Sequence, residues 1–213
     1  SQVVSTLDDL GDDRPGLKAA REWARATRPQ VTRPEMIVPI TVHPAFEKAA
    51  AYFDVKAVHV PVGEDFRADV SAARSLLNDN TILVVGSAPQ YPHGVVDPIT
   101  ELAAMARERG ILCHVDACLG GFLLPWVEKL GYPVPPFDFR VEGVTSMSVD
   151  LHKYGYTAKG ASVIVHRSKR LRGYQTFVTD NWLGGVYGSS GVLGTKGGGA
   201  MAAAWAVLHY LGD

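Results

Sequence analysis

The chain alternates short, continuously apolar runs with segments whose apolar residues recur at helical spacing. Over residues 16–28, Leu17, Ala20, Trp23 and Ala24 fall on one face and Lys18, Arg21, Arg25 and Arg28 on the other, which predicts an amphipathic helix. Residues 36–40 predict a short strand, 44–52 a helix entered by proline, and 55–60 an alternating strand. A helix opened by an acidic residue over 69–77, a fully apolar strand over 81–86, a helix over 99–109 and a buried strand over 111–115 follow. Two further strands, 143–149 and 161–165, flank a polar stretch rich in His, Lys and Tyr. Apolar strands separated by helices imply a mostly parallel sheet between helical layers, a three-layer α/β/α domain.

Residues 184–199 contain eight glycines in sixteen positions, which predicts a loop shaped by its backbone and neither helix nor strand. A final helix over 200–211 is expected to bury Ala, Trp205, Val207 and Leu208. No internal repeat is present.

Composition narrows the functional classes. Of 213 residues, 46% are hydrophobic, enough for a sizeable core, and 21 Lys+Arg against 22 Asp+Glu argue against a basic nucleic-acid binder. No apolar run reaches the roughly 18 residues of a membrane span. The opening residues carry aspartates at positions 8, 9, 12 and 13 and lack the order of a secretory signal, so a cytoplasmic setting is expected. Cys113 and Cys118 cannot build a disulfide framework, and no second ligand pair at zinc spacing accompanies them; they read as reduced, partly buried thiols and no metal is expected.

Three pieces carry chemistry: His114-Val115-Asp116-Ala117-Cys118, Ser148-Val149-Asp150-Leu151-His152-Lys153-Tyr154-Gly155-Tyr156, and Thr41-Val42-His43-Pro44. Each alone has an ordinary structural reading: a strand-end aspartate as a cap or ion-pair partner, a surface His-Lys pair, a histidine capping a helix. Together they meet the demand of pyridoxal 5'-phosphate (PLP), which needs a lysine amine, a carboxylate for its ring nitrogen, a flat group over its ring and a phosphate cradle. Lys153 is the best placed lysine, and burial beside a cation such as His152 or Lys159 is expected to lower its pKa.

The stretches Pro89-Gln90-Tyr91-Pro92-His93-Gly94, HVDACLGGF, FDFRVEGVTSMSVDLHKYGYTAKG and the glycine-rich run, with His43, resemble the sphingosine-1-phosphate lyases, a family within the group II PLP-dependent decarboxylases. The resemblance runs from about residue 16 to 213 and implies the large domain of fold type I PLP enzymes. It implies that Lys153 forms the Schiff base with PLP, Asp116 pairs with the ring nitrogen, His43 stacks on the ring and His152 contacts the cofactor phosphate. It places Lys159 at the substrate phosphate and Tyr91 near the reacting carbon. In such a family the glycine-rich loop reaches across a homodimer interface toward the partner's cofactor, which implies a role for Thr195 in trans; a set of tight structural turns is the other reading. The implied substrate is a phosphorylated sphingoid base.

The chain departs from the family at one place. Where relatives have a Gly-Gly-Thr-Glu-Ser type phosphate loop, this sequence has Asp12-Asp13-Arg14-Pro15, whose charge would repel a phosphate dianion. Residues 1–15 therefore read as an atypical acidic segment before a PLP-binding large domain over 16–213. The family's upstream part, which in some relatives carries a membrane anchor, and its C-terminal small domain are expected to have no counterpart here, which leaves a fragment or a natural truncation as the two readings, the start without methionine mildly favouring the fragment. Three readings stand: a carbon–carbon lyase, an amino-acid decarboxylase using the same lysine and aspartate, and a catalytically silent dimerisation domain.

Overall fold

Strand β1 (Glu35–Pro39) is buried along its whole length, and its alternation divides the core in two. Met36 and Val38 face one side, packing with Val85 and with Ala50 of helix α1 (Ala45–Phe53). Ile37 faces the other, in a cluster with Ile99, Leu102 and Met105 of helix α3 (Ile99–Glu108). A sheet apolar on both faces needs helices on both, which is why its strands read as continuous apolar runs.

The computed structural model describes Ala26 and residues 29–212, so the helix expected over 16–28 and the acidic segment over 1–15 lie outside the described residues. The described chain forms two compact units, Arg33–Arg167 with residues 198–212, and Ser168–Gly197 with the described residues before Arg33. In the first unit β1 is followed by α1, β2 (Lys56–Val60), helix α2 (Val70–Leu76), β3 (Thr81–Ser87), α3, β4 (Leu112–Asp116), a 3-10 turn (Gly120–Phe122), helix α4 (Leu124–Lys129), β5 (Ser146–Asp150) and β6 (Ser162–His166). The strand order is β2-β1-β3-β4-β5-β6, parallel from β1 through β5, with β6 antiparallel at the edge.

Local chemistry sets the element ends. Asp69 caps α2 by accepting from Ala72 N at 3.0 Å, and α1 stops at Asp54, which adopts a left-handed conformation and donates to Ala50 O. Gly143, expected inside a strand, has φ +102° and lies against the Ala103 carbonyl, so this residue forms a turn and β5 starts three residues later, at Ser146.

The other unit holds α5 (Lys169–Gly173) and the antiparallel pair β7 (Phe177–Thr179) and β8 (Tyr187–Ser189). Strand β8 lies inside the glycine-rich segment expected to be free of strand: Gly188 sits opposite Val178 in the ladder, and Tyr187 packs edge-on against Trp182. The final helix α6 (Gly198–Leu211) buries Ala204, beside Leu151 and Ala161, and leaves Trp205 65% exposed and Leu208 exposed as well. Its small-residue side makes the contact, contrary to the expectation for Trp205 and Leu208. No helix among the described residues is long and apolar enough to cross a membrane.

Candidate active site

Strand order 2-1-3-4-5 reverses direction between β1 and β3, and in open α/β sheets such a switch point opens a crevice at the carboxyl ends of the strands. A cavity of about 470 Å³ lies there, lined by His43 and Pro44 after β1, Ser87 and Tyr91 among others at the end of β3, Asp116 and Cys118 at the end of β4, and Lys153 after β5. Residues up to 110 apart in sequence thus meet because four neighbouring strands end together.

Asp116 closes β4 and is 7% exposed. Its Oδ1 accepts from Ser148 Oγ at 2.8 Å and from Cys118 N at 3.2 Å, and the Cys118 thiol is a further hydrogen-bond partner of the carboxylate. The turn that follows packs tightly: a Cβ on Gly120 would run into the Ala88 carbonyl, and one on Gly121 into Val149. His43 Nδ1 accepts from the backbone N of Ala45, the first residue of α1, at 3.1 Å, and the residue also lines the cavity.

Tyr91 lines the cavity mouth, 79% exposed. The loop beneath it is pinned by Gln90, a buried residue whose side chain donates to Phe66 O at 3.3 Å and accepts from His93 N at 2.8 Å, while the Phe66 and His93 rings stack at 4.2 Å. Asp97 ties the same loop to its neighbours, accepting from Ser87 N and Ala68 N; burial, partly offset by those bonds, raises its pKa.

Lys153 Nζ lies 3.0 Å from Asp150 Oδ2 and 2.8 Å from Cys118 Sγ. Burial alone would lower the amine's pKa, but the bonds to Cys118 and Asp150 outweigh it and hold the amine above its ordinary value. This corrects the expectation of a lowered pKa: the nearest charge is a carboxylate, and Lys159 is exposed and outside the cavity lining. Loss of solvent pushes the Cys118 thiol up to about 11 against the pull of Lys153, so it is protonated at neutral pH. His152 Nε2 is 3.5 Å from Asp150 Oδ2, and its buried Nδ1 has no partner among the described residues, nor does the buried Thr41 hydroxyl. Thr195 is exposed and belongs to the other unit.

Ser148, Asp150 and Cys118 lie in the stretches singled out in the sequence but carried no assigned role there. Period-two alternation on β5 puts Ser148 and Asp150 on one face, which was the available signal for the first two.

A doubly covered parallel sheet whose strand ends present a lysine, a buried carboxylate and an imidazole to one cavity defines an enzyme domain of the fold type I PLP class. Residues 18–195 match the model of the pyridoxal-dependent decarboxylase conserved domain, and the chain belongs to that family. It is 50% identical to the sphingosine-1-phosphate lyase of Arabidopsis thaliana over 92% of this chain and 36% of that protein, and 47% identical to that of Dictyostelium discoideum over 100% and 40%. Among solved structures, the sphingosine-1-phosphate lyase of Burkholderia pseudomallei superimposes with a TM-score of 0.84 at 48% identity, covering 91% of this chain and 44% of that one. Glutamate decarboxylase of Lactobacillus brevis, at 23% identity and a TM-score of 0.75, shares the fold. The chain spans about two-fifths of the length of the curated relatives it matches.

PLP, the group that such a family uses, fits what the cavity offers. A lysine amine, a carboxylate and an imidazole line one cavity, and His152, next to the lysine in sequence, has a buried Nδ1 without a partner among the described residues. Lys153 would hold its carbonyl end, Asp116 its ring nitrogen and His43 its ring face.

Proposed function

We propose that this chain is the cofactor-binding part of a carbon–carbon lyase that cleaves a phosphorylated long-chain amino alcohol, such as sphingosine 1-phosphate, to phosphoethanolamine and a fatty aldehyde. The observation that carries the proposal is the convergence of Lys153, Asp116, His43 and Tyr91 on one cavity. Identity near 50% to sphingosine-1-phosphate lyases across nearly the whole chain supports the reaction class.

PLP, when bound, supplies an electrophilic carbonyl and a pyridine ring that accepts the electron pair released at the substrate's C2. Asp116, its Oδ1 held by Ser148 and the Cys118 amide, would hold a proton at the ring nitrogen. His43 covers one ring face, its orientation set by its bond to Ala45 N. The Tyr91 phenol, at the cavity mouth, takes the proton from the substrate's C3 hydroxyl as the C2–C3 bond breaks. His152 would contact the cofactor phosphate, and Lys159, outside the cavity lining, would meet the substrate phosphate. Thr195 acts from a second copy of the chain in a homodimer, in the cytoplasm.

Amino-acid decarboxylation is the second reading, favoured by the family to which the chain belongs. The two are separated by supplying the PLP-loaded protein with matched substrates. Fatty aldehyde from a phosphorylated sphingoid base is the expected result; carbon dioxide from an amino acid in its place would overturn it, and neither product with PLP bound would mark a silent domain.

A further inference from the structure

A lysine must be neutral to attack a carbonyl, yet the amine of Lys153 rests against a buried carboxylate. Asp150 ends β5 and reaches in two directions. Its Oδ1 accepts the Ser162 hydroxyl from β6, and its Oδ2 faces Lys153 Nζ at 3.0 Å and His152 Nε2 at 3.5 Å. The backbone reinforces the arrangement: Lys153 N donates to Asp150 O, and His152 N donates to Ala161 O on the way into β6. The lysine is thus tied to Asp150 through both side chain and main chain, at the wall of the cavity.

We propose that Asp150 is a positioning residue: it docks the Lys153 ammonium at the cavity wall until a carbonyl compound takes the amine, and Ser162 sets the strength of that hold from β6. Capture of a carbonyl then requires the ammonium to pass one proton to solvent; the neutral nitrogen adds to the carbonyl carbon and one water leaves. The inference deepens the proposed function, since it rests on Lys153 being the carbonyl-reactive lysine.

The other charged or titratable groups around the amine do not replace Asp150. Cys118 touches it from the turn after β4 but is a neutral thiol at physiological pH. Asp116, also at the end of β4, is engaged with Ser148 and the Cys118 amide, and His43 and Tyr91 stand on the other walls. His152 shares the Asp150 carboxylate and competes with Lys153 for it. The Ser162 hydroxyl draws part of the carboxylate's charge to Oδ1, so removing it strengthens the pull on the lysine.

The test needs no cofactor, so its failure is distinct from a failure to bind PLP. Lysines of the whole chain are dimethylated with 13C-formaldehyde and cyanoborohydride, Lys153 is assigned by its loss in Lys153→Arg, and its 13C shift is titrated. In Asp150→Asn the Lys153 midpoint is expected to fall by about one pH unit, as for loss of an opposite charge in contact. In Ser162→Ala it is expected to rise, and in Cys118→Ala, which removes a bond to a neutral group, to fall by less than in Asp150→Asn. An unchanged midpoint in a folded Asp150→Asn protein, or a fall in Cys118→Ala at least as large as in Asp150→Asn, overturns the proposal. If Asp150→Asn does not fold, Ser162→Ala decides: a midpoint that stays or falls overturns it.

Discussion

Ser148 Oγ donates to Asp116 Oδ1 at 2.8 Å across the β4–β5 ladder, in which Asp116 and Ser148 are register partners. The strand that delivers Lys153 therefore also fixes the acid that faces it. Ser148→Ala removes a bond to a charged group, and PLP affinity should fall about tenfold, read from an absorbance titration. Asp116→Ala should lower it further, and equal affinity in Ser148→Ala would show that the acid needs no such support.

The proposed function gives His43 a second task beside its bond to Ala45 N, and two substitutions separate them. His43→Asn retains a side-chain acceptor for Ala45 N but lacks a flat ring, so thermal stability should stay near the parent while PLP binding weakens. His43→Ala should lose both, with stability lower by about 1 kcal/mol in denaturant unfolding.

The turn after β4 tolerates no side chain. A Cβ on Gly121 falls on the Val149 side chain and one on Gly120 on the Ala88 carbonyl. Gly120→Ala should cost more than Gly121→Ala, because a carbonyl cannot rotate aside as a side chain can. About 1–3 kcal/mol is the expected scale for overpacking, measured by denaturant unfolding.

His114 makes stability depend on pH. Its ring stands 5.9 Å from the Phe46 ring and its Nδ1 pairs with Ser146 Oγ at 2.8 Å; burial, opposed by Asp116, pushes its pKa down to about 4 from 6.5. Between those values the unfolded chain binds a proton that the folded chain refuses, so stability falls as pH drops from about 6.5 to 4. In His114→Asn this part of the acid slope should flatten, seen in melting temperatures across that range.

The parallel sheet was legible because strands buried on both faces carry unbroken apolar runs, as β3 and β4 do. Asp116 was legible because it ends such a run, and Lys153 because it follows the next one. The partners of Lys153 were not: Cys118 lies 35 residues away, and its contact depends on how β4 and β5 end side by side. Lys159 carries the right chemistry six residues beyond Lys153, but the turn containing Tyr156, at φ 55°, leads to a lysine outside the cavity lining. Helix α6 misled for a different reason. It is apolar on nearly every side, so periodicity selects no face, and the face that packs is the one with alanines. In the glycine-rich segment, composition hid a strand that Tyr187 and Ser189 support on either side of Gly188.

Borohydride reduction of the protein after incubation with PLP, followed by peptide mapping, tests the central claim most directly. A single stable adduct on Lys153, absent from Asp116→Ala at the same PLP concentration, is the predicted result. No adduct, or one on Lys159 or another exposed lysine that Asp116→Ala leaves unchanged, would contradict it.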